Sequence, residues 1–183
     1  QALYVSLYTD TGGFVFSSTT ADTLDLAADL VRAGANPTDI FERIHQNQPP
    51  ERFALQALFL DSMESHFDGR LRCFSLPQSM LDSVGATREH ADGFSNMGLA
   101  MQGCLISLVI GGSEAGLTKA NLRAKAPMDV CEMVRPLGGG GHRLAAGVNS
   151  TLPPQELKQA LFAAAAVQLA QMDKESQENL CLV

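Results

Sequence analysis

Apolar and polar positions divide the chain into segments of recognisable period. Residues 2–8, Ala-Leu-Tyr-Val-Ser-Leu-Tyr, lack polar alternation. They predict a strand covered on both faces, which needs sheet neighbours. Thr9-Asp10-Thr11-Gly12-Gly13 breaks it, and Ser17 to Thr20 offer helix caps. Leu24, Ala27, Ala28 and Val31 share one face of a helix predicted over 21–33, with Gly34 as its C-cap. Asn36-Pro37 opens a second helix whose buried face is Ile40, Phe41 and Ile44. Gln46-Asn47-Gln48-Pro49-Pro50 reads as a linker. A helix over 51–65 follows, carrying Phe53, Leu55, Leu58, Phe59 and Met63.

The pattern changes after Asp68-Gly69. Residues 70–76 predict a strand, 77–84 a short helix ended by Gly85, and 103–110 a strongly apolar strand before a Gly-Gly turn. Residues 117–125 alternate: Ala120, Leu122 and Ala124 face one way, and Lys119, Asn121, Arg123 and Lys125 the other. A helix over 128–135, a loop at Gly138–Gly141 and a short strand at 147–149 follow. Pro153-Pro154 opens a long Ala/Leu helix to about Met172, with a frayed polar tail from Asp173. The fold class is α/β. A strand and two helices cannot close a sheet by themselves, so the first 48 residues read as the end of a larger domain.

The 183 residues are 45% hydrophobic, enough to bury a core, which excludes a disordered chain. No apolar run approaches the ~18 residues of a membrane helix. Cys73, Cys104, Cys131 and Cys181 are widely spaced, which argues against a zinc ribbon or a disulfide scaffold and fits a reducing cytoplasm. The first residue is Gln1 rather than Met, so the numbering need not start where the gene does. The net charge of −7 disfavours broad coating of nucleic acid. Its distribution is uneven: residues 1–67 hold 3 basic and 9 acidic side chains, and residues 68–150 hold 8 and 7.

Three places could carry chemistry. Asp10 follows the apolar run, where a carboxylate can hold a metal ion or make a local turn bond. Gly138-Gly139-Gly140-Gly141-His142-Arg143 lets backbone N–H groups approach a phosphate, with two donor side chains at its exit. It lacks the Lys-Ser/Thr of a Walker loop. Lys119, Asn121, Arg123 and Lys125 share a strand face suited to a phosphate backbone, with Arg123 the best bidentate donor, although a solvated face has the same spacing. His45, His66 and His90 read as isolated surface residues, and Met97 to Met101 as core or interface.

At these residues the chain resembles the DHH phosphoesterase superfamily, named for an Asp-His-His motif. Leu7-Tyr8-Thr9-Asp10-Thr11-Gly12-Gly13-Phe14 with Ser17-Ser18-Thr19-Thr20 looks like the last motif of its catalytic domain. Asn121-Leu122-Arg123 looks like the Ser-Leu-Arg segment of the DHH-associated domain, and Gly138 to Gly147 like that domain's glycine-rich signature. The nearest subgroup is the nanoRNases, with pAp phosphatases and exopolyphosphatase-related proteins. The resemblance implies a catalytic-domain fragment from a parallel sheet (1–48), a linker helix (49–66), a mixed-sheet DHH-associated domain (67–172) and a tail (173–183). It implies a parent hydrolase of phosphoesters in short RNA, pAp or cyclic dinucleotides that uses two manganese ions. Asp10 would be a metal ligand. Arg123, Gly139, Gly140, Gly141 and His142 would bind substrate. The expected partners are short RNA or nucleotide phosphates and a second copy of the chain, with no membrane. The family's other metal ligands are absent from the 183 residues, and the strand segment reads Ala120-Asn121-Leu122-Arg123-Ala124 rather than Ser-Leu-Arg-Ser, so the family's hydroxyls are missing. The chain alone is therefore expected to be inactive and to bind no manganese. The competing readings are a non-catalytic nucleotide-binding module, an exopolyphosphatase and a cyclic-dinucleotide phosphodiesterase.

Overall fold

The computed structural model describes residues 1–16, 18–112 and 116–180, with side chains to 178. Ser17 and Cys181 lie outside the described residues. The chain divides into two compact units, Gln1–Pro49 and Pro50–Val183.

The first unit is helical: α1 (Ala2–Asp10), α2 (Ala21–Arg32) and α3 (Pro37–His45). The strand expected over residues 2–8 is therefore corrected to a helix. No other strand lies among the unit's described residues. A helix satisfies its own backbone bonds, whereas a lone strand leaves every one of them unpaired. The two helix starts follow their caps. Thr20 Oγ1 accepts from Thr23 N at 3.3 Å, and Asn36 Oδ1 accepts from Thr38 N at 3.1 Å. Gly34 takes a φ of +99° after α2, as a C-cap glycine should. Tyr4, Ala27, Ala35 and Ile40 form a small core. Leu24, Val31 and Phe41, expected on buried faces, are exposed.

The second unit is built on a six-stranded sheet in the order β1-β2-β3-β4-β6-β5. Its elements are α4 (Pro50–Asp61), β1 (Glu64–His66), β2 (Leu71–Leu76), α5 (Gln78–Ser83), 3₁₀ turns at Arg88–Ala91 and Phe94–Ala100, β3 (Ile106–Gly112), β4 (Thr118–Ala124), α6 (Val130–Val134), a 3₁₀ turn at Arg135–Leu137, β5 (Gly140–His142), β6 (Ala145–Ser150) and α7 (Pro154–Leu180). β2 and β3 run parallel, and the other pairs are antiparallel. One face packs on α6 and α7. Leu157, Leu161, Ala165 and Leu169, four residues apart, stack against Leu108, Ala120 and Leu122. The other face packs on α4, α5 and the 3₁₀ turns around Leu55, Phe59, Phe74, Leu81, Phe94 and Val109. Phe59 stacks on Phe74 at 4.5 Å between centroids.

Four expectations change here. α4 is packed into this core through Leu55 and Phe59 rather than standing as a connector. It ends at Asp61 instead of Ser65, which frees Glu64–His66 to form an edge strand. The loop expected at Gly138–Gly141 is half strand, because Gly140 and Gly141 pair with β6. The tail from Asp173 stays helical to Leu180, and Arg70 holds both Asp173 carboxylate oxygens at 2.8 and 2.9 Å.

Candidate functional site

The helices cover the second sheet face at β2 and β3 and leave it open towards β5. Register decides what lies on that open part. Lys119 pairs with Asn149, Asn121 with Gly147 and Arg123 with Ala145. Gly147 in turn pairs with Gly140, and Ala145 with His142. Directly paired residues share a face, so Arg123 and His142 face the same side, two strand spacings or about 10 Å apart. Between the flanking positions the floor is small: Gly147 and Ala145.

The floor runs under two adjoining hollows. One, of about 280 Å³, is lined by Lys119, Asn121, Gly138, Gly139, Gly140, Gly147 and Asn149. The other, of about 310 Å³, lies between β4 and the 88–96 segment and is lined by Arg123, Arg88, Asp92, Ser95, Asn96, Leu76 and Val109. Lys119 and Asn121 line both, so the hollows form one groove. Arg123 is half-buried, and among the described residues its guanidinium donates only to the Leu122 carbonyl, at 3.1 Å. The side chains of Lys119, Asn121, Asp92, Ser95 and Asn96 have no hydrogen-bond or ion-pair partner among the described residues, so the groove gathers unpaired polar groups. Lys119, Arg123 and Arg88 outnumber the single Asp92 carboxylate, a balance that attracts an anion.

The glycines play different parts. A Cβ on Gly139 would lie 2.6 Å from the Gly147 carbonyl oxygen and 2.7 Å from the Cβ atoms of Val134 and Val148. One on Gly141 would lie 2.5 Å from the Ala145 carbonyl oxygen. Both positions are filled by the protein itself. Gly140 has nothing within 4 Å and faces the open groove. Of Gly139, Gly140 and Gly141, only Gly140 has open space where a side chain would stand. Arg143, expected as a donor at the loop exit, instead donates to the Pro127 carbonyl at 2.8 Å. Lys125 lies past the end of β4 and lines neither hollow.

Asp10 sits exposed at the end of α1. No group of three or more His, Cys, Asp or Glu side chains that could hold a metal ion occurs among the described residues. One carboxylate does not fit the two manganese ions that the resemblance implies, and no catalytic step follows from it. His45 bonds the Tyr8 hydroxyl at 3.0 Å, and His66 bonds Glu64 at 3.2 Å. Neither of these histidines is isolated. No helix among the described residues is long and apolar enough to cross a membrane.

Sequence reading missed the 88–96 wall and Asn149. The wall consists of short 3₁₀ turns, which carry no helical or strand period. The one available signal was Thr87, which forms a capping box with His90.

The chain is 33% identical over 154 residues to the bifunctional oligoribonuclease and PAP phosphatase NrnA of Thermus thermophilus, covering 84% of this chain and 45% of that protein. Its fold matches an exopolyphosphatase-related protein from Bacteroides fragilis with a TM-score of 0.78 at 22% identity, over 88% of this chain and 48% of the other. It also matches the pGpG-specific phosphodiesterase PggH of Vibrio cholerae with a TM-score of 0.51 at 14% identity, over 81% and 51%. No family profile matches. The chain spans about half the length of these relatives.

Proposed function

We propose that this chain, which carries the DHH-associated part of the DHH phosphoesterase superfamily, is the substrate-binding portion of a manganese-dependent phosphodiesterase. Its substrates are short oligoribonucleotides and pAp, and catalysis needs residues that this chain does not supply. The observation that carries the reading is the groove, where Lys119, Asn121 and Arg123 line up beside Gly140, with no partner among the described residues for the Lys119 and Asn121 side chains. The named activity of the Thermus relative, an oligoribonuclease and PAP phosphatase, supports the substrate class. The first unit supports the fragment reading, because it leaves Leu3, Val15, Phe16, Leu24 and Leu26 exposed.

The chemistry assigned to these residues is binding and orientation. Arg123 donates in a fork to phosphate oxygens, Lys119 contributes a mobile point charge, and Gly140 lets the backbone approach.

Calorimetric titration of the chain with a 5′-phosphorylated diribonucleotide and with inorganic polyphosphate, with turnover followed in manganese, tests this. The expected result is salt-dependent binding of the dinucleotide in preference to polyphosphate, with no mononucleotide released. Preference for polyphosphate, or absence of binding, contradicts the substrate class. Release of mononucleotides contradicts the fragment reading.

A further inference from the structure

The two halves of the groove differ in chemistry. The half lined by Lys119, Asn149 and Gly138–Gly140 offers a cation, an amide and bare backbone. The half between β4 and the 88–96 segment carries Lys119 and Arg123 on β4 and, on the 88–96 wall, Asp92, whose carboxylate has no partner among the described residues. A phosphate held by the β4 cations fits there, whereas phosphates continuing onto the 88–96 wall would bring anionic oxygens against that carboxylate. A neutral ring with donor groups on its edge would be attracted to it instead. Leu76 and Val109 supply an apolar side for such a ring, and Asn96 and Arg88 supply donors.

The wall is held in shape from behind. Arg52, on α4, donates to the carbonyls of His90 at 2.5 Å and Asp92 at 2.8 Å. Its guanidinium also sits 5.1 Å from the centroid of the buried Phe94 ring. The Asp92 backbone is therefore fixed before any ligand arrives, which reduces the cost of ordering it on binding.

We infer that this half of the groove holds a nucleobase, and that Asp92 makes it prefer guanine. The inference rests on the nucleotide-binding reading above and deepens it. A carboxylate accepts two parallel hydrogen bonds from guanine, one from N1–H and one from the N2 amine. Guanine O6 is then left to accept from Asn96 or Arg88. Adenine presents one amine beside an acceptor nitrogen, which faces the carboxylate unfavourably. A site built around donors on the ligand rejects a ligand that lacks them.

The test titrates the chain with 5′-GMP, 5′-IMP, 5′-AMP and inorganic pyrophosphate, and repeats the series with Asp92→Asn. IMP is GMP without the N2 amine, so it probes the second hydrogen bond from the ligand side. The expected result is GMP bound about tenfold more tightly than AMP, with IMP between them. In Asp92→Asn the three nucleotides should converge to within about twofold, with pyrophosphate affinity no weaker. Equal affinities in the parent chain, or a guanine preference that survives in the variant, overturn the base assignment and leave the phosphate half standing. Failure of all three nucleotides and pyrophosphate to bind overturns the nucleotide-binding reading itself.

Discussion

Gly139 and Gly140 are neighbours in sequence and in the groove, and their substitution should separate packing from ligand approach. In Gly139→Ala the new methyl meets the Gly147 carbonyl and the Val134 and Val148 side chains, all closer than 3.0 Å. None of these is the far end of a flexible chain. Backbone of β6 and two β-branched residues must shift, and such overpacking costs about 1–3 kcal/mol. At about 2 kcal/mol, the midpoint of that range, a chain of this size loses roughly 4–8 °C in Tm. In Gly140→Ala the methyl enters open space, so stability should change by no more than about 0.5 kcal/mol. The same methyl occupies the groove, and nucleotide affinity should fall by about 1 kcal/mol, some fivefold in Kd. Thermal unfolding followed by circular dichroism and calorimetric titration with a diribonucleotide read the two effects. Equal destabilisation by both substitutions, or a stable Gly139→Ala, would refute the packing argument.

Three further outcomes follow from the geometry. Lys119→Ala, Arg123→Ala and His142→Ala should each weaken dinucleotide binding by about 1–3 kcal/mol, and Lys119→Ala should lower the log–log salt slope by about 1; titrations at several salt concentrations check this. The hydrogen bond from Lys158 holds the Glu64 carboxyl below its ordinary value, against burial that pushes it up. A lowered carboxyl stabilises the fold above its unfolded value and loses that contribution as pH falls through the lower folded value. The stability advantage over Glu64→Gln, measured by urea unfolding, should therefore shrink on acidification below about pH 4. Burial pushes the Cys73 thiol up to about 12 and raises that of Cys104, whereas Cys131 is half-buried. Mass mapping after alkylation of the native chain at mildly alkaline pH should find Cys131 modified well before Cys73 and Cys104.

The parts of the fold legible in the sequence are those whose environment leaves a period. β4 is the clearest case. Ala120, Leu122 and Ala124 pack under α7, while Lys119, Asn121 and Arg123 lie on the open side, so alternation shows directly. The caps of α2 and α3 are equally local and were readable for that reason. α1 was not, because an apolar run becomes strand or helix according to whether a sheet edge is available, which is a tertiary matter. The glycine run pointed to the right place for a partly different reason. Gly139 and Gly141 are small because the protein packs where a side chain would stand, and only Gly140 of the three has open space at that position. The Asp92 wall was invisible because 3₁₀ turns have no period and its anchor, Arg52, lies about 40 positions away.

The central claim is that a nucleotide phosphate lies on the open sheet face, across β4 and β5. Amide chemical shifts of the isotopically labelled chain, followed as a 5′-phosphorylated diribonucleotide is added, test it directly. The account predicts the largest shifts at Lys119–Arg123, Gly138–His142 and Asp92–Asn96. Shifts concentrated instead around Pro127, Arg143 and Gln168, which line a separate hollow beside α7, would contradict it.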